Sequence, residues 1–209
     1  MPLLIASKQL PYLVKGSALA KFILDILGWK VNFSGFPSLQ GVIVIYPHTS
    51  NFDFVVLILV KWYLGISGCF FAKDSLFKIP ILSSWMKWVG GIPVNRNSPH
   101  GLVSMMGENF KRAQKAERFL WLALTPEGTR KWTPGWKTGF YKIAINSGSP
   151  VGFVSLDYSS KVCQMLGFFN LTGDVNSDMT DIANLYINVK GFHPYEASPI
   201  VPIIRPGQD

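Results

Sequence analysis

Pro47-His48-Thr49-Ser50-Asn51-Phe52-Asp53 places an imidazole and a carboxylate five positions apart behind a short apolar run. Five residues turn a regular helix through about 140°, so His48 and Asp53 do not share a helix face. They meet if His48 lies in a loop and Asp53 in the first turn of a helix capped by Ser50 or Asn51. The carboxylate then holds one ring nitrogen and turns the other outward, as in a general base with an orienting partner. A loop histidine with a merely local hydrogen bond would carry the same spacing, and the residues alone leave both readings open. A second stretch, Thr125-Pro126-Glu127-Gly128-Thr129-Arg130, offers a glycine that permits close backbone approach and a guanidinium fork suited to phosphate. A third, Gly90 to Arg96, sets another arginine at a strand end. The chain has no Gly-x-Ser-x-Gly elbow, HExxH, Cys/His cluster or P-loop, so neither a serine nucleophile nor a metal site is expected.

These residues need elements to position them. Leu19, Phe22, Ile23, Ile26 and Leu27 repeat at helical spacing over 17–28, with Gly28 as the stop, and predict an amphipathic helix. Such a helix either packs on the domain or lies in a membrane interface. Strands are predicted at 42–46, 68–72, 91–95, 119–124 and 151–158, alternating with helices at 51–64, 75–89, 101–117 and 137–146. This alternation implies an α/β fold with a mostly parallel central sheet flanked by helices. In such sheets ligands gather at the carboxyl ends of strands, where all three chemical stretches fall.

The chain has 209 residues, 48% apolar and 15% charged, with a net charge of +8. Ordinary soluble domains are about 25% charged, so disorder and coiled coil are excluded and an apolar contact surface is implied. The charge is concentrated: residues 60–142 carry thirteen basic and four acidic groups, while 143–209 are net acidic. An anionic partner therefore faces the middle of the chain. The run Lys111 to Arg118 is a basic helix that nucleic acid could use, but it also reads as a solvated face and no nucleic-acid-reading motif accompanies it. The longest run after Asp53, Phe54 to Val60, is far short of the roughly 20 residues that span a bilayer. Trp85, Trp88, Trp132 and Trp136 beside Lys87, Lys131 and Lys137 suggest an aromatic and basic interfacial face. Cys69 and Cys163 read as reduced and packed.

In their order and spacing, the stretches resemble the lysophosphatidate acyltransferase family, over about residues 40–160. His48 to Asp53 matches the family's H-x4-D block, Gly90 to Arg96 its glycine-to-arginine block, and Pro126 to Arg130 its P-E-G-T-R block. Lys142 to Val151 matches its helix leading into a proline-containing strand. Thr125 and Gly152 depart from the usual residues of that pattern. The resemblance implies an acyltransferase domain over 31–209 behind an amphipathic segment at 1–30. It implies that His48 deprotonates an acceptor hydroxyl that attacks an acyl thioester directly, with Asp53 orienting His48. Arg96 and Arg130 would hold the acceptor phosphate, and Glu127, Gly128 and Thr129 would shape the acceptor site. No cofactor is implied, only acyl-CoA or acyl carrier protein as co-substrate. The expected partners are a lysophospholipid acceptor, lysophosphatidic acid first and another lysolipid as the alternative, and a membrane surface rather than nucleic acid. The expected location is peripheral or monotopic on the cytoplasmic face.

Overall fold

Val42, Val44 and Tyr46 pack on one side of the strand Gln40–Tyr46 and Ile43 and Ile45 on the other, so the strand is apolar throughout because both its faces are covered. The computed structural model describes residues 3–5, 15–94 and 99–203. In chain order the elements are β1 (Leu3–Ile5), α1 (Ala18–Ile26), β2 (Lys30–Asn32), β3 (Gln40–Tyr46) and α2 (Phe52–Leu64). Then come β4 (Cys69–Lys73), α3 (Pro80–Trp88), β5 (Gly91–Val94), α4 (Pro99–Lys115), β6 (Leu120–Leu124) and β7 (Trp136–Lys137). The chain continues through α5 (Gly139–Ser147), β8 (Val151–Asp157), β9 (Val162–Asn170), α6 (Val175–Leu185) and β10 (Pro202–Ile203).

The sheet runs β1-β9-β8-β3-β6-β4-β5, with β2 also on β9. The five strands predicted from the sequence run parallel in the order β8, β3, β6, β4 and β5, and β2 runs parallel to β9. Strand β9 returns antiparallel against β8 and was not foreseen, nor was α6. One core layer joins Val42, Val44, Leu122 and Phe153 to residues of α4, α5 and α6; the other joins Ile43, Ile45, Trp121 and Val154 to α1 and α2. Gly41 and Gly152 are glycines for want of room: a Cβ would stand 2.2 Å from the Trp121 ring at the first, and 2.7 Å from the Phe168 ring at the second. The Gly152 departure from the family pattern is thus a packing matter.

The helix expected over 75–89 is divided. A 3-10 turn covers Asp74–Lys78, Ile79 is extended at φ −93° and ψ 115°, and α3 begins at Pro80. The proline ring disfavours a helical residue before it but suits the first helical position. Trp136, expected at an interface, is fully buried between Tyr46 and Phe140. Trp88 and Trp132 are exposed, and Trp85 borders on exposure.

Candidate active site

His48 comes two residues after β3, Thr125 directly after β6 and Tyr158 directly after β8, so three parallel strands deliver these residues to the same end of the sheet. Ser50 Oγ accepts the Phe52 N–H at 3.1 Å and starts α2, while Asn51 makes no side-chain cap. Asp53, in the first turn, reaches back. Its Oδ2 accepts the Thr49 and Ser50 N–H groups at 2.8 and 2.9 Å and lies 3.0 Å from His48 Nδ1. Its Oδ1 accepts the Tyr158 hydroxyl at 2.7 Å. Burial pushes the Asp53 carboxyl up, but the hydrogen bonds from His48, Tyr158 and Ser50 outweigh it and hold the group below its ordinary value. An ionised Asp53 accepts only, so His48 Nδ1 carries a proton in this contact and Nε2 is the ring nitrogen turned away from Asp53.

The turn after β6 is locked to this loop. Glu127 is fully buried; its Oε2 accepts the His48 N–H at 2.7 Å and its Oε1 the Ser198 N–H at 3.0 Å. Burial is the largest influence on Glu127 and leaves its carboxyl raised in spite of those two bonds. It shapes the site from beneath, by fixing the backbone of the histidine. Gly128 closes the turn through its N–H to Thr125 O at 3.1 Å with φ +65°, and a Cβ there would meet Lys137 Nζ at 2.7 Å. The turn therefore needs glycine twice over. Thr129 Oγ1 accepts the Lys131 N–H at 3.3 Å. Arg130 is exposed, as are Lys131 and Lys137, so the turn carries a cationic rim. Arg96 lies outside the described residues. The basic end of α4 lies toward the start of β6, the opposite end of the sheet from His48.

His48 also lines a cavity of about 220 Å³. One face of α2 contributes Phe54, Leu57, Ile58, Lys61 and Leu64, and the sheet contributes Ile43, Ile45, Trp121 and Val154. Those α2 residues span ten positions, roughly 15 Å of helix. Lys61 is the cationic member of the lining; its ammonium donates to Val89 O, and burial lowers its pKa.

Residues 30–156 match the family described as Acyltransferase. The chain belongs to the Acyltransferase family. It is 26% identical over 137 residues to the 1-acyl-sn-glycerol-3-phosphate acyltransferase LPAT1, chloroplastic, of Arabidopsis thaliana, covering 64% of this chain and 38% of that protein. The 1-acyl-sn-glycerol-3-phosphate acyltransferase BAT2, chloroplastic, of Brassica napus is 26% identical over 138 residues, covering 64% and 39%. The chain thus spans about two fifths of the length of these curated relatives. Among solved structures it is similar to the 1-acyl-sn-glycerophosphate acyltransferase PlsC of Thermotoga maritima, at 25% identity and a TM-score of 0.45, covering 65% of this chain and 54% of that one.

Beyond the matched segment, this Acyltransferase-family chain adds groups that the sequence reading missed. The stretch 190–198 straps the His48 loop. Gly191 passes so near Thr49 that a Cβ would stand 2.7 Å from Oγ1. The His193 N–H donates to Thr49 Oγ1 at 3.1 Å, and Tyr46 donates its hydroxyl to Ser198 O at 3.0 Å. Phe192 stacks on Phe52 at 6.0 Å. Tyr158 had one visible signal, a polar aromatic at the carboxyl end of a predicted strand. Ser198 and Gly191 had none, because nothing nearby in sequence marks them as neighbours of Glu127 and Thr49.

Proposed function

We propose that this chain transfers a fatty acyl group from an acyl thioester, acyl-CoA or acyl carrier protein, to the free hydroxyl of lysophosphatidic acid, giving phosphatidic acid. The observation that carries the reading is the His48 ring, held by Asp53 at 3.0 Å and lining an apolar cavity. His48 Nε2 takes the proton of the acceptor hydroxyl as its oxygen attacks the thioester carbonyl. The tetrahedral intermediate then collapses, the C–S bond breaks, and the departing thiolate takes the proton back from the His48 imidazolium, which restores the base; no acyl-enzyme forms. The cavity accepts the acyl chain. An extended chain advances about 1.2 Å per bond, a third of the 3.3–3.6 Å that a peptide residue spans, so 15 Å of helix face matches roughly twelve carbons. Arg130, with Lys131 and Lys137 on the same rim, faces the acceptor phosphate.

Among the described residues, no helix is long and apolar enough to cross a membrane. Attachment to a membrane surface is supported by exposed apolar groups on two helices. Helix α1 buries Ala20 and Leu24 and leaves Leu19, Phe22 and Ile26 exposed. Helix α3 and the residue before it expose Ile79, Ile81 and Trp88 beside Lys78 and Lys87. Trp85 on α3 packs on Phe54, a cavity-lining residue, at 6.1 Å, so that apolar surface continues into the cavity. Incubating the purified chain in anionic vesicles with a thioester donor and a panel of lysolipids, and reading products by mass spectrometry, tests the reading. Phosphatidic acid is expected; free fatty acid without a lipid product would mean hydrolysis and overturn it.

A further inference from the structure

Asp53 is fully buried and its two oxygens are served unequally. Oδ2 faces His48 Nδ1 and the Thr49 and Ser50 N–H groups; on Oδ1 the hydrogen bond is from the Tyr158 hydroxyl, at 2.7 Å. Tyr158 lies two residues beyond the segment that matches the family, and 105 positions from Asp53 along the chain. Its ring is clamped edge-on between Trp29, at 4.9 Å, and Phe192, at 5.2 Å. Its N–H donates to Lys190 O at 2.8 Å, which ties it to the strap over the His48 loop.

We infer that Tyr158 is a positioning residue for the His48–Asp53 pair: its hydroxyl sets the rotation of the Asp53 carboxylate and draws charge toward the oxygen turned away from His48. The phenol is suited to this. Burial first, then the Asp53 carboxylate, push its ionisation far above the ordinary tyrosine range, so it remains a donor at any working pH. The groups around His48 are Asp53 from α2, Glu127 below its backbone, Tyr158 behind Asp53, and His193 on the strap across Thr49. Without the hydroxyl, negative charge concentrates on the oxygen facing the imidazole. The imidazolium then holds its proton to higher pH, and the carboxylate is free to rotate.

The inference rests on the acyl-transfer reading for its rate effect but not for its titration effect, so the test reads both. In the full chain, Tyr158→Phe keeps the ring between Trp29 and Phe192 and removes only the oxygen. The His48 titration, followed by NMR of the labelled imidazole, is expected to move to higher pH. Acyl transfer is expected to lose about ten- to hundredfold in kcat with KM changed less than about threefold, and the acid limb of the rate profile should move up with the titration. Placing 3-fluorotyrosine at position 158 makes a stronger donor and moves the titration the other way. An unmoved His48 titration in either variant, or a loss of rate with the acid limb in place, overturns the inference. Absence of acyl transfer in the unsubstituted chain would overturn the proposed function, while the titration would still decide the role of Tyr158.

Discussion

Two fully buried carboxylates stand beneath His48 and behave oppositely, because their donors differ. Asp53 receives an imidazole, a phenol and two backbone N–H groups and is held below its ordinary value; Glu127 receives two backbone N–H groups and the Ser198 hydroxyl, which do not offset its burial, and is pushed above it. A carboxylate with a lowered folded-state pKa stabilises the fold above its unfolded value, about 3.9 for aspartate, and loses that stabilisation as pH falls through the lower folded value. Asp53→Asn should therefore unfold more easily than the parent above about pH 5, and the gap should begin to narrow near about pH 4 and close as pH falls through the lower folded-state value. Denaturant melts across pH check this; a gap that widens in acid would contradict the assignment. His48 and Asp53 were legible in the sequence because a five-residue spacing across a loop-to-helix junction is a local matter. The task of Glu127 was not legible, since its donors lie 79 and 71 positions away.

Between elements, the decisive contact is the strap across the His48 loop. Gly191→Ala would place a Cβ 2.7 Å from Thr49 Oγ1 and 3.1 Å from Pro47, so the strap must lift and loosen its hold on Thr49 and Glu127. Amide exchange at His48 and Ser198 should accelerate and turnover should fall, while the parallel strands keep their protection; unchanged exchange at both amides would contradict the strap's role. The parallel strands were legible because each is a short apolar run between turn signals. Strand β9 was not: its exposed and buried residues do not alternate cleanly, and its pairing with β8 shifts register between Phe153 and Val154. Helix α6 left a readable signal, Asp174 as the N-cap ahead of Val175, Met179 and Ile182 at helical spacing. The break at Pro80 was legible too, since the residue before a proline leaves the helical region.

For the whole molecule, His48 lines an apolar cavity, and the turn whose Glu127 holds the His48 backbone also carries exposed Arg130; under the proposed function each suits one end of an acyl-transfer complex. Each methylene that enters the cavity is worth about 0.8 kcal/mol, or about fourfold in kcat/KM, until the cavity is filled. The specificity constant should rise with donor length and flatten near twelve carbons, a series that matched thioesters would trace; a flat response from short to long chains would place the acyl group elsewhere. The net charge of +8 pointed to an anionic partner, but composition could not say which basic residues face the site. The fold separates the two candidates: the basic end of α4 lies toward the start of β6, and the exposed Arg130, Lys131 and Lys137 lie in and beyond the turn that follows it. All of it depends on His48 acting as the base. The most direct measurement is single-turnover acyl transfer by His48→Ala on lysolipid vesicles, with the melting temperature taken alongside. A rate reduced about 10²–10⁴-fold in a protein of unchanged stability is the predicted result; transfer at the parent rate would contradict it.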